Sequence, residues 1–186
     1  AGCFGGETKD RLVSARVFRN GEIIEFSKGE LQMSYRESTI KRSDDIVISA
    51  TFDLEPGDTE ELKKQLDETL EKRKEAQPQY AGSAGCIFKN YEIQSDEELQ
   101  RLEQETDIPS EMLASRRIST GWLVDQLDLK GTTIGGAQIS NEHGNFIVNV
   151  NDATASDIAQ IISIVKMKVR DRYGIQLQEE ITFLGF

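Results

Sequence analysis

Strand-like patterning runs through residues 10–54, where apolar and polar positions alternate over short stretches. "RLVSARVF" is rich in β-branched and aromatic residues, and in "NGEIIEF" the pair Asn20-Gly21 stands where a two-residue hairpin turn belongs. "DIVISATFDLE" (45–55) predicts another strand, with Ile46, Ile48 and Ala50 on one face and Val47, Ser49 and Thr51 on the other. "EPGD" stops it, and Asp58 is placed to cap a helix in which Leu62, Leu66 and Leu70 recur every fourth residue. The remainder of that helix is charged and reads as a solvated face.

The Pro/Gly/Ser-rich stretch "QPQYAGSAG" (77–85) marks an internal boundary. After it "CIFKN" predicts a short strand, and the acidic "SDEELQRLEQETDIPSEM" a surface excursion of helix and loop. "TGWLVDQLDLKG" carries a helical stripe of Trp122, Leu123 and Leu127 with a stop at Lys130-Gly131. "GNFIVNV" is a strand. In "NDATASDIAQIISIVKMKVRDRYG" Thr154 caps a long helix with Asp157 three residues on, and Ile158, Ile161, Ile162, Val165 and Val169 form its apolar face. "GIQLQEEITFLGF" then returns as a closing strand, so that strand, helix and strand make a βαβ-type unit. The expected class is α+β, in two parts: residues 1–78 and 79–186.

Composition narrows the chemistry. The chain has 186 residues and a net charge of −11. That balance argues against a nucleic-acid backbone as partner, which needs clustered cations, but leaves room for a small anionic ligand. No apolar run approaches the roughly 20 residues needed to cross a bilayer, and no leader pattern is present, so no membrane role is expected. Cys3 and Cys86 are too few and too far apart for a disulfide framework or a zinc site, which points to a reducing, cytoplasmic compartment and to no metal. The opening "AGCFGGETKD", glycine-rich and without Met, reads like the middle of a longer protein.

Four stretches carry candidate chemistry. Arg36 in "YRES" could fork onto a carboxylate, or be a surface arginine paired with an acidic neighbour. Cys86 could donate a proton, or be a small buried hydrophobe. If "CIFKN" is a strand, alternation puts Cys86, Phe88 and Asn90 on one face and Lys89 on the other. In "GTTIGGAQISNEHGN" (131–145) the paired glycines either admit a ligand close to the backbone or form a tight turn, and His143 is the only histidine of the chain. Glu179 and Glu180 alternate, so one of them faces inward on a half-buried strand.

Taken together, "AGCFGGETKDRL", "YRES", "IVISATF", "AGCIFKN", "GWLVDQLDLKGTTIGGAQISNEHGNFIVNVNDATASDI" and "EEITFLG" resemble, in order and spacing, the C-terminal part of the UDP-N-acetylenolpyruvoylglucosamine reductases of peptidoglycan synthesis. The resemblance implies NADPH reducing FAD, then hydride delivery to the enolpyruvyl group of UDP-N-acetylglucosamine enolpyruvate and proton delivery to the adjacent carbon. Arg36 falls on the family's arginine that stabilises the carboxylate charge of the intermediate, Glu180 on the glutamate that assists the same intermediate, and Cys86 on the proton donor, a serine in many members and a cysteine in others. Tyr35, Lys74, Asn90 and His143 fall on or near substrate-binding positions, Lys74 and His143 toward the phosphates. Gly2, Cys3 and Phe4 fall on the flavin site, most of which lies in the N-terminal lobe that the resemblance leaves out. Little or no turnover is expected of this chain alone. A nucleotide-sugar binding module without redox activity is the alternative, followed by a purely structural or interaction protein.

Overall fold

The computed structural model describes residues 2–3 and 6–185. The chain divides into two compact units, Ala1–Leu70 and Glu71–Phe186. It is an α+β protein.

In the first unit β1 (Gly2–Cys3) pairs with β2 (Gly6–Glu7), and a single helical turn, α1 (Thr8–Arg11), leads into a three-stranded antiparallel sheet. Its strands are β3 (Leu12–Arg19), β4 (Glu22–Ser27) and β5 (Ile46–Phe52), in the order β4-β3-β5. Asn20 and Gly21 both take left-handed backbone, at φ 51° and 88°, the turn that matches the twist of a two-residue hairpin. Leu12, Ala15 and Leu31 make a small core beneath Phe26, Met33 and Ile40. On β3 Phe18 pairs with Ile23 of β4 and Ile46 of β5, and all three side chains are exposed. Helix α2 (Thr59–Ala76) begins as expected, Asp58 Oδ1 accepting from Glu61 N–H at 2.9 Å, but Leu62, Leu66 and Leu70 all stand in solvent. The division between the units falls within this helix.

The second unit is larger. Strands β6 (Gly82–Cys86), β9 (Thr133–Ile134), β10 (Ala137–Ile139) and β11 (Phe146–Asn149) form an antiparallel sheet in the order β6-β11-β10-β9. Between β6 and β9 come β7 (Tyr91–Glu92), α3 (Asp96–Glu105), α4 (Ser110–Ala114), β8 (Arg117–Ile118), which pairs with β7, and α5 (Thr120–Gln126). Helix α6 (Ala155–Tyr173) packs its Ile161, Ile162, Val165 and Val169 into the core. Thr154 accepts from Asp157 N–H and Asp157 from Thr154 N–H, the reciprocal cap that the sequence announces. Trp122 of α5 lies 6.2 Å from the ring of Tyr173, tilted by 50°. Among the described residues no helix is long and apolar enough to cross a membrane.

Three expectations need correction here. The strand predicted at "CIFKN" lies upstream, ending at Cys86, and Ile87 and Phe88 are buried in succession, so alternation does not hold beyond the thiol. The acidic stretch after residue 94 is helix and loop, but Leu102, Ile108 and Leu113 belong to the main core rather than to a surface excursion. Dense carboxylates in the first turn of α3 hid that apolar stripe. Finally, the closing strand is reduced to one bridge, Phe88 with Glu179. Tyr173, Ile175 and Leu177 are buried and alternate with exposed Gly174, Gln176 and Gln178, so the period-2 pattern is real while a sheet ladder is not. The βαβ unit therefore lacks its second full strand.

Candidate functional site

The candidates of the first unit gather around a turn. Ser34 and Glu37 exchange backbone hydrogen bonds at 3.1 and 3.2 Å, leaving Tyr35 and Arg36 at the tip. Arg36 sits at φ 57°, a left-handed conformation costing a β-carbon residue roughly 1–2 kcal/mol. Its guanidinium lies 5.2 Å from the centre of the Tyr35 ring, and Lys41 Nζ donates to its carbonyl at 3.0 Å. Arg36 also lines a small open hollow with Glu7, Lys9, Met33 and Ser34, and Glu7 and Lys9 form an ion pair. The hollow offers about 10 Å³, room for roughly one water. Gly2 and Cys3 pair with Glu7 and Gly6; Phe4 lies outside the described residues.

In the second unit, β6 carries one more residue than its partner just before the thiol. Cys86 pairs with Phe146 and Ser83 with Val148, so three steps on β6 oppose two on β11. Gly85 lies in this bulge at φ 83°. A bulge of this kind bends the strand and re-aims the residue that follows, here Cys86, which is half-buried. Beyond it the backbone is gripped from two sides. Ile87 N–H donates to the Asn145 carbonyl at 2.9 Å, Phe88 N–H to Asn145 Oδ1 at 3.0 Å, and Asn145 Nδ2 to the Phe88 carbonyl at 2.8 Å. From the other side Glu180 N–H donates to the Ile87 carbonyl at 2.7 Å and Lys89 N–H to the Gln178 carbonyl at 2.9 Å. Glu180 is thereby brought beside the residue that follows Cys86. Both C-terminal glutamates are half-buried, and Glu179 is engaged by Lys166 Nζ at 2.7 Å.

Asn90 belongs to the same cluster, its Oδ1 accepting from Thr120 N–H at 3.3 Å while Thr120 Oγ1 donates to the Lys89 carbonyl at 2.8 Å. These bonds tie residues 89–90 to the start of α5. His143 is half-buried, and burial, the largest influence on it, holds its pKa below the usual value. Its Nδ1 accepts from Asn145 N–H at 3.1 Å and its ring meets Phe146 edge-on at 4.9 Å. Lys74 stands apart on the exposed α2, paired with Glu71 at 2.7 Å. The paired glycines resolve as a turn. A β-carbon at Gly136 would collide with the Asn151 carbonyl and one at Gly135 would lie 2.5 Å from the Asp157 carboxylate, so the hairpin presses against the capped start of α6.

Residues 77–184 match the family profile described as "UDP-N-acetylenolpyruvoylglucosamine reductase, C-terminal domain". The chain belongs to the UDP-N-acetylenolpyruvoylglucosamine reductase family. It is 34% identical over 186 residues to the reductase of Lachnoclostridium phytofermentans, covering all of this chain and 52% of that protein. Identity to the Synechococcus reductase is 36% over 189 residues, covering all of this chain and 55% of the other. The crystal structure of UDP-N-acetylenolpyruvylglucosamine reductase (MurB) from Thermus caldophilus superposes with a TM-score of 0.72 at 31% identity, over 98% of this chain and 56% of that one. The chain thus spans about half the length of the curated relatives it matches. Sequence reasoning missed Asn145, whose only signal was a polar residue at the head of the apolar run "FIVN".

Proposed function

We propose that this chain is the substrate-side part of a UDP-N-acetylenolpyruvoylglucosamine reductase, acting on UDP-N-acetylglucosamine enolpyruvate in cytoplasmic peptidoglycan synthesis. FAD and NADPH belong to this reading as the source of reducing equivalents, with the flavin held by more than the residues described here. The chain's own residues then have two tasks. Reduction of the enolpyruvyl double bond pushes negative charge toward the substrate carboxylate; Arg36 stabilises that charge and Glu180 assists the same intermediate. The neighbouring carbon needs a proton, and the Cys86 thiol supplies it. Tyr35, Asn90, His143 and Lys74 serve binding, the last two toward the diphosphate, and Gly2, Cys3 and Phe4 belong to the flavin side.

The observation that carries the reading is the 2.7 Å bond from Glu180 N–H to the Ile87 carbonyl, which ties one candidate to the residue that follows another, the Cys86 thiol, far away in sequence. In the flavin-loaded holoenzyme, Cys86→Ala should leave flavin reduction by NADPH near normal and cripple reoxidation by substrate, while Cys86→Ser keeps measurable turnover. Stopped-flow flavin absorbance separates the two half-reactions. Equal loss in both would remove Cys86 from the role of acid. Binding of the nucleotide sugar with neither half-reaction present would favour the binding module instead.

A further inference from the structure

We infer that Asn145 is a positioning residue that holds the Cys86 thiol and the Glu180 backbone in one fixed arrangement. The inference rests on the role proposed above for Cys86. The ladder of β6 ends at Cys86, whose cross-strand partner is Phe146, and the two residues that follow are buried. Buried backbone groups require partners, and here no strand continues to provide them. Asn145, itself 4% exposed, provides them instead: its carbonyl takes Ile87 N–H, and its side chain takes Phe88 N–H and returns a bond to the Phe88 carbonyl. The Ile87 carbonyl faces the other way and receives Glu180 N–H. One side chain thus braces the segment that has the thiol at one end and the glutamate's anchor in its middle.

The residue type is specified by this geometry. A backbone N–H can only donate and a carbonyl can only accept, so the amide orientation is forced and both halves of it are used. Aspartate would lose the donor and alanine both bonds. His143 completes the arrangement by accepting from Asn145 N–H, which leaves every polar group of the asparagine engaged.

The test uses the whole chain and needs no turnover. Alkylation of Cys86 by iodoacetamide is followed across pH, with peptide mapping to separate it from Cys3. Asn145→Ala should raise the Cys86 rate roughly tenfold and displace its pH profile, because local opening loses two side-chain bonds of restraint. Thr154→Ala, which lowers the stability of the same unit by removing the bond from Asp157 N–H that caps α6, should leave both at the wild-type value. Acceleration by both variants alike, or by neither, overturns the inference. If Asn145→Ala does not fold, Asn145→Asp keeps the shape and the Phe88 N–H bond; the Ile87 and Glu180 amides should then exchange hydrogen faster than in wild type, and unchanged exchange overturns it. Faster alkylation in Asn145→Ala together with a normal substrate half-reaction in Cys86→Ala would instead sink the proposed acid and leave the brace standing.

Discussion

His143 shows how a single ring is recruited to local order. Its Nδ1 accepts from Asn145 N–H, which only the neutral ring can do, and folding lowers its pKa mainly by burial, with Lys130 pushing the same way and Asp125 opposing. A base whose pKa falls on folding binds protons more readily in the unfolded chain. Its contribution is therefore complete above about pH 6.5 and is lost as pH falls below that value. The melting temperature should drop between about pH 7 and pH 5 more steeply in wild type than in His143→Gln; parallel slopes would take His143 out of the balance. At this scale the legible features were local ones. Asn20-Gly21, the Asp58 cap and the Thr154–Asp157 pair each act within three residues, so spacing alone identifies them. Asn145 was illegible because its amide bonds a residue 57 positions away.

Helix α3 makes the corresponding point for an element. Its acidic first turn, Asp96, Glu97 and Glu98, gives it the look of a solvated appendage, yet it is pinned. Leu102 is wholly buried, Arg101 Nη1 donates to the Tyr173 carbonyl at 3.1 Å, and Tyr91 Oη donates to Glu98 Oε1 at 2.6 Å. Burial first, and the Glu98 carboxylate second, push the Tyr91 hydroxyl up to about 12, so it remains a donor at neutral pH. Tyr91→Phe should cost about 1 kcal/mol, seen as an earlier urea midpoint with an unchanged slope. A midpoint within error of wild type would mean that solvent serves Glu98 equally well. The acidic composition suggested helix and loop here but said nothing of what the helix packs on. The same limit explains the C-terminal stretch: alternation at Tyr173, Ile175 and Leu177 reported burial faithfully, while pairing depends on a neighbouring edge that no one-dimensional pattern encodes.

Over the whole molecule the two units differ sharply in what holds them. Among the described residues, the clustered buried core of the first is Leu12, Ala15 and Leu31, whereas that of the second spans four helices, the sheet and the C-terminal extended segment. Burial of apolar area is the main favourable term in folding, so the first unit should open at lower denaturant than the second. Far-UV circular dichroism should begin to fall before the second unit melts, and amide exchange should be faster along β3 and β5 than along β10 and β11. A single shared transition would show the units to be cooperative.

Trp122 turns that difference into something an instrument can see. It is the chain's single tryptophan and it belongs to the second unit, against Tyr173. Its emission reports the second unit: an intrinsic-fluorescence melt taken alone will show a sturdier protein than the one in the cuvette. A tryptophan introduced into the first unit would supply the missing colour channel.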